Sequence, residues 1–156
     1  MLEERVLGNL LVRQGVVSSD ALEPLLVQQR EKGAPLGELL VQAKLASEAD
    51  LGRALAAECR VPFIERIDND AVQAHLAGKV PITYAKNHLV LVTEERDDAV
   101  DVVCSNPLDV DSIDDVRAIF NKRVALSVAP ASVVLDAINR VYERQDTMRE
   151  LKSDEG

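Results

Sequence analysis

Apolar residues recur along the first third of the chain at Leu7, Leu10 and Leu11, at Ala21, Leu22, Leu25 and Leu26, at Leu36, Leu39 and Leu40, and at Leu51, Ala54 and Leu55. Each set follows the i, i+3, i+4 spacing of a helix with one buried face. The stripes belong to two copies of one block. Residues 6–29 read VLGNLLVRQGVVSSDALEPLLVQQ and residues 35–58 read PLGELLVQAKLASEADLGRALAAE, 24 residues each, with REKGA between them. At an offset of 29 the pairs Leu7/Leu36, Gly8/Gly37, Leu10/Leu39, Leu11/Leu40, Val12/Val41, Ser18/Ser47, Leu22/Leu51 and Leu26/Leu55 are identical. Self-similarity at a fixed period marks a repeated supersecondary unit. Each unit predicts a short helix, a turn and a second helix. Gly15 falls where the first helix should end, as a left-handed C-cap; Lys44 holds that place in the second copy, at a cost if the backbone is also left-handed. Ser18 and Ser47 are placed as N-caps, and Asp50, three residues after Ser47, completes a capping box. Pro24 falls within about the first turn of its helix, where a proline is tolerated. Residues 1–60 therefore predict a four-helix subdomain of two helical hairpins.

After Arg60 the period changes. Val61-Pro62-Phe63-Ile64 reads as a strand-like run, and Asp68 or Asn69 as the cap of a helix reaching about His75. Leu89–Thr93 and Val100–Cys104 are β-branched and apolar, and the polar EERDDA between them predicts a hairpin. Ser105-Asn106-Pro107 ends the second strand. Asp111 or Ser112 is placed to cap a helix carrying Ile113, Val116, Ile119 and Phe120. Arg123–Val128 is another strand, and Pro130 opens a helix striped with Val133, Val134, Ala137, Ile138 and Val141. Residues 61–142 predict a small α/β sandwich, a sheet of three to four strands with helices on one face, so the whole chain is expected to be α+β. From Glu143 the residues are nearly all polar, and 143–156 reads as a fraying helix end and a linker or tail, the stub of a longer protein.

Composition narrows the function classes. The chain has 156 residues, 47% of them hydrophobic and 29% charged, which predicts a globular protein with a real core. Aromatics are 3%, with no Trp, so the core must be aliphatic. Eighteen basic against 27 acidic residues leave a formal charge of −9. Such a surface repels phosphate backbones and anionic lipid, which argues against general nucleic-acid or membrane binding. Two isolated cysteines, Cys59 and Cys104, make neither a structural zinc site nor a disulfide framework, and they fit a reducing cytosol. The N-terminal MLEERVLGNLL is too charged for a signal peptide. No apolar run approaches the roughly 20 residues of a membrane span. A cytoplasmic protein with no direct membrane insertion is expected.

The repeat LGxLLVxxGxxS…L…L…QQ, VPFIE after it, the block LVLVTEERDDAVDVVCSNPLD and the closing VALSVAPASVVLDAINRVY follow one another in a known order. In these features, over roughly residues 5–142, the chain resembles the N-terminal, MshEN-like domain of the type II secretion and type IV pilus assembly ATPases, general secretion pathway protein E among them. The resemblance implies a non-catalytic docking and regulatory domain. It would precede a motor domain in cis and bind the cytoplasmic part of an inner-membrane platform protein, peripheral to that membrane. The motor is not expected here, because a phosphate-cradling loop needs GxxxxGK[ST] after a strand. The Gly78-Lys79 pair is followed by Val80, and Gln73 stands where the first glycine belongs.

One branch of that family binds cyclic di-GMP. The resemblance puts its motif positions at Leu7, Gly8, Leu11, Gly15, Leu22 and Gln29 in the first copy and at Leu36, Gly37, Leu40 and Leu51 in the second. In the binding members each motif opens with Arg before Leu-Gly, and a guanidinium there pairs bidentately with phosphate or guanine. Here those positions hold Val6 and Pro35, and Arg5 lies one residue early, on a different helical face. The closing Gln is kept as Gln29 but becomes Glu58, which repels a dianion. The expectation is a domain without a cofactor, with a cyclic di-GMP sensor as the alternative and a free-standing adaptor of the same fold as a third reading.

Other constellations have simpler structural readings. Asp109, Asp111, Asp114 and Asp115 lack the Gly and Glu that a calcium loop needs at its sixth and twelfth positions; these hold Asp114 and Phe120, and helix capping explains the run. Nothing in the sequence brings His75 or His88 to Cys59 as a nucleophile–base pair. Arg53, Arg60 and Arg66 read as solvated or ion-paired in acidic surroundings.

Overall fold

The computed structural model describes the backbone of residues 2–155 and the side chains of residues 6–148 and 150. Four helices come first: α1 (Leu2–Arg13), α2 (Ser19–Lys32), α3 (Leu36–Gln42) and α4 (Glu48–Cys59). The duplication in the sequence is a duplication in hydrogen bonding. Gln14, Gly15 and Val16 donate their N–H groups to Leu10, Val12 and Leu11 carbonyls at 3.0, 3.0 and 2.9 Å, and Ala43, Lys44 and Leu45 donate to Leu39, Val41 and Leu40 at 3.0 Å each. Donors and acceptors all repeat at the offset of 29. Gly15 has φ +75° and Lys44 φ +60°, so the lysine does occupy a left-handed position. The caps also repeat: Ser18 accepts from the Ala21 N–H at 3.1 Å and Ser47 from the Asp50 N–H at 3.0 Å. The Asp50 carboxylate closes the box on the Ser47 N–H at 3.1 Å. These hydrogen bonds, first the Ser47 backbone and then its hydroxyl, hold the Asp50 pKa below its usual value.

The hairpins pack by exchange: α1 lies on α4, α2 on α3, and α1 on α3. Leu10, Leu11, Leu22, Leu25, Leu36, Leu39, Leu40, Ala54 and Leu55 form one buried cluster. Pro24 departs from its expected place. It is the sixth residue of α2, a turn later, where its missing N–H leaves the exposed Asp20 carbonyl to water.

The second half is a three-stranded sheet in the order β1 (Val90–Glu95), β2 (Ala99–Cys104), β3 (Arg123–Val128). β1 and β2 are an antiparallel hairpin with a bulge between Val92 and Glu94; β2 and β3 are parallel, Val102 opposite Leu126. α6 (Val110–Phe120) makes the crossover and lies against β3, and α7 (Ala131–Glu155) lies against β1 and β2. Valines 90, 92, 100, 102 and 128 join Val116, Phe120, Val134, Ala137, Ile138 and Val141 in a second cluster.

Several expectations are corrected. Val61–Ile64 is no strand: a single parallel bridge joins Phe63 to Val128, through Val128 N–H to Pro62 O at 2.9 Å and Ile64 N–H to Val128 O at 2.8 Å. In place of a helix to His75 there are two 3-10 turns, Asn69–Ala71 and Ala74–Lys79, the first capped by Asp68. A further short helix, α5 (Ile82–His88), opens at Pro81, where the sequence pattern predicts none. Asp109, not Asp111 or Ser112, caps α6, accepting from the Ser112 N–H at 3.3 Å. α7 runs on through the polar residues to Glu155 instead of fraying at Glu143. Tyr142 donates to Val80 O at 2.7 Å, and Arg144 donates to Asn69 O at 2.8 Å and also to Val72 O, so the helix extension is tied to the 69–80 segment.

The left-handed Lys44 yields a paired prediction. Lys44→Gly should raise stability by about 0.5–1 kcal/mol, and Gly15→Ala should lower it by about 1–2 kcal/mol. Urea unfolding midpoints of the two variants check both signs.

Candidate functional site

Where the two halves meet, they enclose a cleft of about 610 Å³. The bundle contributes Leu7, Pro35, Gly37, Glu38, Glu48, Leu51, Gly52 and Leu55; the end of α5 and the loops leading into α6 and α7 contribute the rest, among them His88, Ser105, Asp109 and Ala131. The cleft thus lies at the carboxyl ends of the parallel strands β2 and β3, where α/β layers commonly bind ligands. The junction rests on a close approach: a Cβ on Gly52 would stand 2.7 Å from the Phe63 ring, so only glycine lets α4 lie on that phenyl. Arg53, one residue on, covers the same ring at 5.1 Å and pairs with Glu65 at 2.7 Å.

Two helix N-termini open on the cleft, and each is occupied by a carboxylate of the chain. The first N–H groups of a helix lack intrahelical partners and attract anions. At α7 the Glu48 carboxylate accepts from the Ser132 N–H at 3.2 Å and the Ser132 hydroxyl at 2.5 Å. This contact also joins α4 of the bundle to the layer. At α6 Asp109 caps through one oxygen and meets His88 Nδ1 at 2.8 Å through the other. His88 stacks on Tyr84, whose hydroxyl donates to Asp115 at 2.6 Å. Burial first, then that hydrogen bond and the nearby carboxylates, push the Tyr84 pKa well above its ordinary value. Among the described residues no lysine or arginine lines the cleft.

The motif positions are divided by this geometry. Leu7, Pro35, Gly37 and Leu51 line the cleft. Leu11, Leu36 and Leu40 are fully buried, and Leu22 and Gly8 are buried beside them. Gly15 closes α1 in open space. Gln29 sits near the end of α2, half-buried, and Val6 is 45% exposed. Glu58, at the closing position of the second copy, pairs with Arg13 at 2.6 Å. The side chain of Arg5 lies outside the described residues. The charged residues that line the cleft are Glu38, Glu48 and Asp109, with His88 beside Asp109.

The remaining candidates carry little chemistry. Burial raises the Cys104 pKa to about 12, and burial followed by the charge of Glu58 raises that of Cys59, so neither thiol is ionised at neutral pH. Among the described residues no group of three or more His, Cys, Asp or Glu side chains could hold a metal ion. None of the described helices is long and apolar enough to cross a membrane. A second groove, of about 540 Å³, lies between the 62–72 segment and the sheet face that carries Thr93, Asp101, Val103, Ala125 and Ser127. Sequence reasoning missed Glu38, Glu48, His88 and Asp109 as site residues. The one available signal was the pair of acidic residues inside the second repeat where the first has Asn9 and Ser19.

Comparison with known proteins places this geometry. The family model of the MshEN domain matches residues 59–148, more than half of the chain. The type IV pilus assembly ATPase PilB of Myxococcus xanthus is 27% identical over 151 residues, 96% of this chain and 26% of that protein. PilB of Thermus thermophilus is 28% identical over 150 residues, 96% of this chain and 16% of that protein. The chain therefore spans about a quarter or less of the length of these relatives. Among solved structures, MshE with cdg superposes with a TM-score of 0.70 at 27% identity, covering 87% of this chain and 98% of that one. The N-terminal domain of XpsE shares the fold at a TM-score of 0.64 and 22% identity, covering 86% and 92%.

The junction is testable by a double-mutant cycle. Gly52→Ala should cost about 1–3 kcal/mol by overpacking against Phe63. Beside Phe63→Leu it should cost less, with a coupling of about 0.5–3 kcal/mol. Additive denaturation energies would remove this contact as the packing that joins the halves.

Proposed function

The chain belongs to the MshEN domain family, and from that premise we propose that it is a docking and regulatory domain of a type II secretion or type IV pilus motor ATPase. It does no chemistry of its own. It holds the motor, in cis, to the cytoplasmic part of an inner-membrane platform protein, and so works on the cytoplasmic side of that membrane without entering it. One observation carries the reading: nearly the whole chain aligns with a minor part of pilus assembly ATPases. The bundle supplies the docking surface. Its polar outer surface is interrupted by exposed Val6 on α1, Val27 on α2 and Leu45 in the turn after α3, the mixture from which protein interfaces are built. Pull-down of the platform protein's cytoplasmic domain, with this chain and with the full-length ATPase as bait, should recover the domain in both cases. Recovery by neither would defeat the reading.

A second reading, a cyclic di-GMP sensor, is favoured by the likeness to MshE with cdg. Against it stand Val6 and Pro35 in place of arginines and the negative cleft. Titration calorimetry should give no heat with the nucleotide at high micromolar concentration. If the binding register is that of the repeat, the double variant Val6→Arg, Pro35→Arg should bind more tightly than the parent, by charge-assisted contacts worth about 1.5–3 kcal/mol each. Tight binding by the parent would reverse the order of the two readings.

A further inference from the structure

We propose that the cleft between the bundle and the layer receives a cationic, leucine-bearing segment of a partner protein. The inference rests on the docking reading in one respect, that a protein partner exists. It goes further by placing a contact at the bundle edge that faces the layer, beside the exposed outer faces, and by naming the chemistry of the segment. The floor is apolar, made by Leu7, Leu51, Leu55 and Leu89. The rim carries Glu38, Glu48 and Asp109, with no lysine or arginine among the described lining residues. At both helix N-termini facing the cleft a carboxylate of the chain, Glu48 or Asp109, already accepts from one N–H group and offsets the positive helix end. What remains is a rim of three carboxylates over an apolar floor, within a chain of net charge −9. An arginine or lysine complements this arrangement: its methylene stem lies along the leucines and its head meets the rim. Because both halves supply walls, an occupant fixes the angle between bundle and layer, which makes docking legible to the rest of the motor.

Residue-resolved NMR titration of the whole chain tests the cleft. The probes are a short amphipathic peptide of Leu and Arg, its counterpart with Glu for Arg, and cyclic di-GMP. The Leu–Arg peptide should move the amides of Gly37, Leu51, Ser105 and Ala131, and the Leu–Glu peptide should not. Glu38→Lys should weaken the Leu–Arg peptide on the order of tenfold. Glu23→Lys makes the same change of charge on α2, outside the cleft, and should leave the affinity nearly unchanged. Glu38 is exposed, so the variant keeps its fold, and Glu38→Gln should give an intermediate loss. Equal loss in Glu38→Lys and Glu23→Lys, shifts confined to other surfaces, or displacement of the peptide by cyclic di-GMP would each overturn the proposal. Pull-down separates it from the docking reading. If Glu38→Lys captures the platform domain as well as the parent does, the cleft proposal falls and docking stands. If the parent captures nothing, docking falls, and the titration still decides the cleft.

Discussion

Neither helical hairpin can bury its own apolar stripe. Two short helices joined by a tight turn leave one face of leucines open, and that face must be covered by a second, similar face. The duplicated hairpin meets this constraint by supplying its own complement. α1 lies on α4 and α2 on α3, and Leu10, Leu11, Leu36 and Leu40, each no more than 1% exposed, form the shared seam. With two Phe, two Tyr and no Trp in the whole chain, aliphatic packing at native density carries this core. The rest of the molecule is arranged around the resulting unit. α4, the last helix of the bundle, presents Gly52 and Ala56 to the layer, and the layer's cluster begins with Ala56 and Phe63.

What the sequence made legible is what local chemistry fixes. The turn at Gly15 and its copy at Lys44, the caps at Ser18 and Ser47, and the strands Ala99–Cys104 and Arg123–Val128 depend on near neighbours and on simple period. Residues 61–88 were harder for a physical reason. The segment crosses from the edge of β3, where Ile64 meets Val128, to the edge of β1, where the Gln73 N–H meets Thr93 O at 2.9 Å. Its conformation answers to partners far along the chain and carries neither a 3.6 nor a 2.0 period. α5 has one fully buried residue, Ala85, too little to make a stripe. The extension of α7 fails in the other direction. Its residues look like a tail, yet Tyr142 and Arg144 anchor it to the backbone of that crossing segment.

The cleft shows the same division. Leu7, Gly37 and Leu51 were legible as motif positions because they belong to the repeat. Glu38 lies between two of them and carries no signal of its own, since an acidic residue on an exposed helix face is ordinary. His88 and Asp109 come together only when α5 and α6 are placed side by side. The family match falls on residues 59–148, the half with the weaker sequence pattern, whereas the repeat is covered by the alignments with the pilus ATPases. Pattern strength within one sequence and identity of a family are thus separate properties of this chain.

The sign of the charge at a helix N-terminus decides what such a cleft can receive. An open N-terminus offers unpaired N–H groups and partial positive charge, and it recruits phosphate. In this chain α7 receives Glu48 and α6 receives Asp109, so a carboxylate of the chain already stands at both termini. Each contact stabilises a helix end, by about 0.3–1 kcal/mol at exposed sites. The Glu48 contact does a second thing, since it crosses between bundle and layer and resists their separation. A ligand that displaced either carboxylate would have to replace its capping hydrogen bonds, whereas a cationic side chain adds to the cap without breaking it. The arrangement that holds the two halves together therefore also selects the charge of what can lie between them.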